Sequence, residues 1–171
     1  MANTYTLISS NVLASSAASV TFSAIPSTYT DLVLRITARG TRVNTIAQLY
    51  LRFNGDSGTN YSDTTINGNG ATASSTRSTS NAVLLVGIMP AASATSNTFG
   101  SAETYIPSYT VSQNKPVGSF AVQEDNITTA YAYATAALWR NTAAITSIEA
   151  LPSANDFAAG SSFYLYGIKN S

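Results

Sequence analysis

The sequence predicts an all-β fold: a two-layer antiparallel β-sandwich of about eight to ten strands, with a jelly roll among the connectivities open to it. Three observations lead there. Bulky side chains recur at every second residue along nearly the whole of the 171-residue chain. No stretch offers a convincing helical spacing of apolar residues. Asn, Gly, Pro and Asp punctuate the alternating runs where turns are needed. The length suits one domain spanning residues 1–171, and no internal repeat divides it.

Strand-like sequence begins at Tyr5. Val20 and Phe22 mark a short strand that stops before Ile25-Pro26, because a residue preceding proline is driven out of helical geometry. Residues 27–31 turn the chain. Leu32, Leu34, Ile36 and Ala38 then share one face, and Val33, Arg35, Thr37 and Arg39 the other. The pattern repeats from Gln48 to Phe53, with Leu49, Leu51 and Phe53 inward and Tyr50 and Arg52 outward, as expected of a strand with one buried face. Asn54-Gly55 supplies the positive φ angles of a tight turn. Residues 67–81 contain almost no bulky apolar group and are expected to form an exposed loop. Ala82–Met89 is apolar on both faces, which suits a central strand or one covered by a second layer, and Pro90 ends it. Residues 90–97 read as a small-residue loop.

Later strands are expected over 101–109, 118–123, 130–138, 144–151 and 162–168. The alanines of 130–138 could favour a helix. However, Tyr131, Tyr133, Thr135, Ala137 and Trp139 alternate with Ala132, Ala134, Ala136 and Leu138, and a two-residue aromatic rhythm cannot line one face of a helix.

Serine, threonine and alanine supply about two-fifths of the chain, charged residues 9%, and histidine and cysteine are absent. That removes the usual general bases, thiol nucleophiles and zinc ligands. No enzymatic activity and no cofactor are expected. Eight basic residues balance eight acidic ones, so neither nucleic acid nor an anionic membrane surface is a natural partner. No apolar run approaches the roughly 20 residues of a membrane-spanning helix. The opening Met1-Ala2-Asn3-Thr4-Tyr5 has no basic segment leading into a long apolar one, so no cleaved secretion signal is expected.

Candidate sites are few. Asp56 and Asp63, near Asn54 and Asn60, are hard oxygen ligands that calcium would accept, yet they lack the order of an EF-hand loop and read equally as turn carboxylates. Glu124-Asp125 is the one adjacent acidic pair. Neighbours on an extended chain point to opposite faces, which is poor geometry for two carboxylates flanking a glycosidic bond. A glycan hydrolase would need Glu103, Glu149 or Asp156 to be brought together by folding. A Ser–Lys arrangement is left only Lys115 and Lys169, neither in a nucleophile motif. Arg35, Arg39, Arg42 and Arg52 are expected to approach one another and to pair with carboxylates between subunits. Ten tyrosines against two lysines suggest contact surfaces, because Tyr and Trp give rigid area with a polar handle. The interface candidates are therefore Arg35, Arg39, Arg52, Tyr131, Tyr133, Trp139, Tyr164 and Tyr166.

The segment Phe22-Ser23-Ala24-Ile25-Pro26-Ser27-Thr28-Tyr29-Thr30-Asp31-Leu32-Val33-Leu34 resembles small virion proteins of tailed bacteriophages. So do Phe53-Asn54-Gly55-Asp56, Asn60-Tyr61-Ser62 and the ending Gly160-Ser161-Ser162-Phe163-Tyr164-Leu165-Tyr166-Gly167-Ile168. The resemblance implies a virion β-sandwich, often trimeric, found as head-decoration or tail-associated receptor-binding modules, and it brings no catalytic residues. Strand-like sequence from Tyr5 to Ile168 leaves no room for a fibre shaft, which favours a capsid decoration or cement subunit contacting phage capsid or tail proteins. The alternative is a tail-tip module that binds host glycans. Exposed tyrosines, strand-face arginines and the loops at 67–81 and 90–98 are the expected contacts.

Overall fold

The computed structural model describes residues 4–126 and 130–169. Among the described residues twelve strands run in chain order: β1 (Tyr5–Val12), β2 (Val20–Phe22), β3 (Asp31–Ala38), β4 (Ile46–Phe53), β5 (Tyr61–Gly68), β6 (Ala73–Asn81), β7 (Leu84–Pro90), β8 (Gly100–Ile106), β9 (Lys115–Gln123), β10 (Tyr131–Trp139), β11 (Ile148–Pro152) and β12 (Ser162–Ile168). They form two sheets, one of eight strands in the order β1-β12-β3-β8-β9-β10-β5-β6 and one of four in the order β2-β11-β4-β7. Every pairing is antiparallel. The strand number exceeds the expected eight to ten because β5, inside the larger sheet, and β6, at its end, are built mainly of Ser, Thr and Asn, so hydrophobicity does not mark them.

The inner faces follow the two-residue rhythm. Leu32, Leu34, Ile36 and Ala38 of β3 and Leu49, Leu51 and Phe53 of β4 are buried in one cluster with Phe157, Phe163, Leu165 and Trp139. Small residues let the layers close. A Cβ on Gly87 of β7 would lie 2.3 Å from Cβ of Ala121 on β9, so the position requires glycine. Beside it, the Ser119 hydroxyl donates to the Val86 carbonyl at 2.7 Å, a hydrogen bond between the two sheets.

Residues 67–81 are not a loop. They contain the end of β5 and all of β6, which pairs with β5 from Tyr61↔Asn81 to Gly68↔Ala73. β6 reads as polar on both sides because it is the last strand of its sheet and is largely solvent-exposed, so no apolar face is needed. The strand within 82–89 is observed as Leu84–Pro90. It ends the four-stranded sheet rather than lying at its centre, and its apolar character comes from cover by β9 and β10. The expected 101–109 and 144–151 strands are shorter, ending at Ile106 and beginning at Ile148. Tyr109, beyond the first, is buried and donates its hydroxyl to the Pro26 carbonyl, so it anchors a turn.

The Asn54-Gly55 turn forms as expected, with φ of 52° and 68°. The Asn54 side-chain oxygen accepts the Thr146 and Ser147 amides at 2.8 and 3.1 Å, which ties the turn to the segment before β11.

Candidate functional site

The register aligns the outward side chains of the eight-stranded sheet in rows across all eight strands. One row runs Ser10, Tyr164, Arg35, Glu103, Phe120, Ala134, Ile66, Ser75. The next runs Leu7, Tyr166, Val33, Tyr105, Gly118, Ala136, Thr64, Arg77, and a third runs Val12, Ser162, Thr37, Ser101, Val122, Ala132, Gly68, Ala73. Nine large hydrophobic side chains are exposed among the described residues: Tyr5, Leu7, Val12, Val43, Ile66, Tyr105, Val111, Phe120 and Val122. All but Val43 and Val111 lie on this one face. Ile66 is 63% exposed, Val12 60% and Phe120 58%, so these are side chains standing in solvent rather than rims of the core.

The face has two halves. Over β1, β12, β3 and β8 it is an aromatic and charged lattice. Tyr5 and Tyr166 meet edge to face with ring centres 6.3 Å apart. The Arg35 guanidinium lies 5.6 and 5.7 Å from those two rings and donates to Glu103 at 2.7 Å. The Glu103 hydrogen bond raises the Arg35 pKa further, keeping it cationic and locally neutralised. Tyr105 donates to buried Asp31 at 2.8 Å, which fixes its ring beside this group. Over β9, β10 and β5 the face becomes a trough with Ala134, Ala136 and Gly118 in its floor. Ile66 stands on one side of it, and a groove of about 330 Å³ runs between.

The structure sorts the expected interface residues. Arg35, Tyr164 and Tyr166 lie on this outer face, half-buried to exposed. Trp139 does not belong among contact residues. It is fully buried, 5.5 Å from the Phe53 ring, and its indole donates to Asp56 at 2.7 Å. Tyr131 and Tyr133 share its inward-pointing side of β10, half-buried and 5.9 Å apart. Arg39 is occupied within the chain: its guanidinium donates to the carbonyls of Ala94, Thr95 and Thr98 at 2.9, 2.7 and 3.0 Å, pinning the 90–98 loop. Arg52 pairs with Glu149 at 2.9 Å on the four-stranded sheet. The arginines therefore do not converge, and the carboxylates partnering Arg35 and Arg52 are intramolecular.

The carboxylates are dispersed: Glu103 pairs with Arg35 and Glu149 with Arg52. Among the described residues no group of three or more His, Cys, Asp or Glu is placed to hold a metal ion. Burial works against the charge of Asp56, but hydrogen bonds from Trp139, Asn60 and the Gly58 amide outweigh it and hold the carboxyl below its ordinary range. It is a turn clasp. Asp63 lies elsewhere, on β5, where burial pushes its pKa up despite a 2.9 Å hydrogen bond from Asn81. Glu124 is exposed and accepts the Asn126 amide, while Asp125 is buried, so the pair points to opposite sides.

Two groups escape sequence reasoning. Lys115 is fully buried and donates to the carbonyls of Val111, Gln113 and Thr142 at 2.8, 2.6 and 3.3 Å, and burial lowers its pKa. The alternation at 115–123 could have located it, since Lys115 shares parity with Val117 and Ala121. The second is a cleft of about 370 Å³ between the β5–β6 pair and the outer side of β4 and β7, with Asp63, Gln48, Tyr50 and Asn81 in its walls.

No family model matches the chain, and no curated protein matches it. Among solved structures it is similar to a galectin, LEC-6 of Caenorhabditis elegans, at 11% identity over 98% of this chain and 96% of that one, with a TM-score of 0.36. At that level the similarity assigns no ligand to this chain.

Proposed function

We propose that the chain is a non-enzymatic virion protein with a jelly-roll-like sandwich, and that it decorates or cements a phage capsid through the outer face of its eight-stranded sheet. The supporting observation is the gathering of seven of the nine exposed large hydrophobic side chains on that single face. Scattered apolar exposure is ordinary, whereas concentration on one surface marks a contact site. The residue types fit as well, since Tyr, Phe and Arg are the side chains enriched in protein interfaces. Eight strands about 4.8 Å apart, each showing about seven residues at roughly 3.4 Å, present on the order of 800 Å², the share one partner gives to a standard interface. The phage setting rests on the resemblance carried by residues 22–34, 53–56, 60–62 and 160–168. A subunit gripping an assembled shell stabilises it by mass action, with no chemical step required.

Binding of purified protein to particles lacking it tests the proposal. Phe120→Asp and Ile66→Asp change exposed positions and should leave the fold intact while weakening binding by tenfold or more, the range expected for a central contact. Undiminished binding by both variants would remove this face from the interface.

Recognition of host surface glycans by a tail-tip module is a second reading. It is favoured by the polar cleft beside β6, which has the size and mixed hydrogen-bonding walls of a small-ligand site.

A further inference from the structure

The eight-stranded sheet overhangs the smaller one at its β5–β6 end. There the inner side of β5 and β6 faces the outer side of β4 across a space of about 370 Å³, within the usual size range of small-molecule sites. Both walls are already organised. On one, Ser78 donates to the Asn81 side-chain oxygen at 2.7 Å and Asn81 donates to Asp63 at 2.9 Å, a relay ending on a buried carboxylate. On the other, the Tyr50 hydroxyl donates to the Gln48 side-chain oxygen at 2.5 Å. That leaves the Gln48 amide hydrogens and a lone pair of the Tyr50 oxygen for an incoming group. Arg77 stands at the rim.

We propose that this cleft binds a neutral polyhydroxylated ligand, a saccharide unit, through Asp63, Asn81, Gln48 and Tyr50. The wall chemistry selects that class. Hydroxyl groups both donate and accept, and the cleft presents an acceptor carboxylate beside amide donors and acceptors. The Tyr50 ring adds a flat apolar surface with a polar tip, as sugar rings require. A polyanion would meet the Asp63 charge, and an apolar ligand would leave the polar walls unpaired. One carboxylate is too few for a hard cation. Burial first, then the nearby Asp63 charge, raises the Tyr50 pKa, which places the two groups in one electrostatic environment across the cleft.

The assignment rests on the recognition reading above, and its failure separates from the failure of that reading. The methyl glycosides of glucose, galactose, mannose and N-acetylglucosamine are titrated to about 20 mM, suited to millimolar affinities, into the isotope-labelled full chain while amide shifts are followed by NMR. At least one should shift the amides of Ser78, Asn81 and Leu85. Asp63→Asn and Tyr50→Phe, which keep side-chain shape, should each weaken it by about tenfold or more. Val43→Ser, exposed between β3 and β4 and outside the cleft lining, should leave it unchanged. Shifts confined to residues around Tyr166 and Arg35 would overturn the cleft while leaving glycan recognition standing. No shift with any of the four would overturn both.

Discussion

A tryptophan in a chain poor in bulky residues looks like a contact residue, and Trp139 is instead the centre of the core at one end of the sandwich. Its ring packs on Phe53 and Tyr61, and its indole holds the carboxylate that closes the 54–58 turn. Trp139→Ala should cost about 3–5 kcal/mol in chemical denaturation, the range for a large core aromatic. The two aspartates once grouped as calcium ligands have opposite linkage to pH. The Asp56 pKa is lowered in the fold, so its contribution is present above the ordinary carboxylate range and is lost as pH falls through the lower folded value. Asp63 is raised, so the folded chain holds its proton more readily than the unfolded chain. Its contribution declines as pH rises from the ordinary value through the raised one. Asp63→Asn should therefore raise the melting temperature at pH 7 and leave it unchanged well below the ordinary carboxylate value. A further rise at low pH would contradict the assigned direction. Neither role was legible in the sequence: Asp56 is set by a hydrogen bond from Trp139, 83 residues away, and Asp63 by a burial that exists only once the strands are packed.

At the scale of elements, alternation located most strands because one buried face imposes a period of two. It failed on β5, whose buried face is Tyr61, Asp63, Thr65 and Asn67 and so carries no apolar rhythm, and where one buried face was missing. β6 buries neither face, so nothing in Ala73–Asn81 distinguishes its Ser and Thr residues from those of a loop. β7 is buried on both faces, and its run of apolar residues marked it, but its place at a sheet end depends on pairing that composition does not record. The close approach of β7 to β9 makes a sharp test of the small-residue packing. Gly87→Ala should destabilise by about 1–3 kcal/mol, the cost of overpacking, and adding Ala121→Gly should recover part of it. Equal stability of Gly87→Ala and wild type would mean the sheets sit further apart.

Across the whole molecule, the abundance of Ser, Thr and Ala acquires a specific meaning. It thins the inner layer so that the sheets close, and it leaves an alanine-floored trough on the outer face where the large side chains stand out. Individual members of that face were visible, Arg35, Tyr164 and Tyr166 among them. Their union with Phe120 and Ile66 was not, since the rows exist only once β12, β3, β8, β9, β10 and β5 are placed side by side. The most direct test is electron cryo-microscopy of the intact particle that carries this chain. Density for the subunit should lie on the capsid, with Phe120, Ile66 and Tyr166 buried against a neighbouring protein. A subunit whose eight-stranded sheet faces open solvent, held by other surfaces, would contradict that placement.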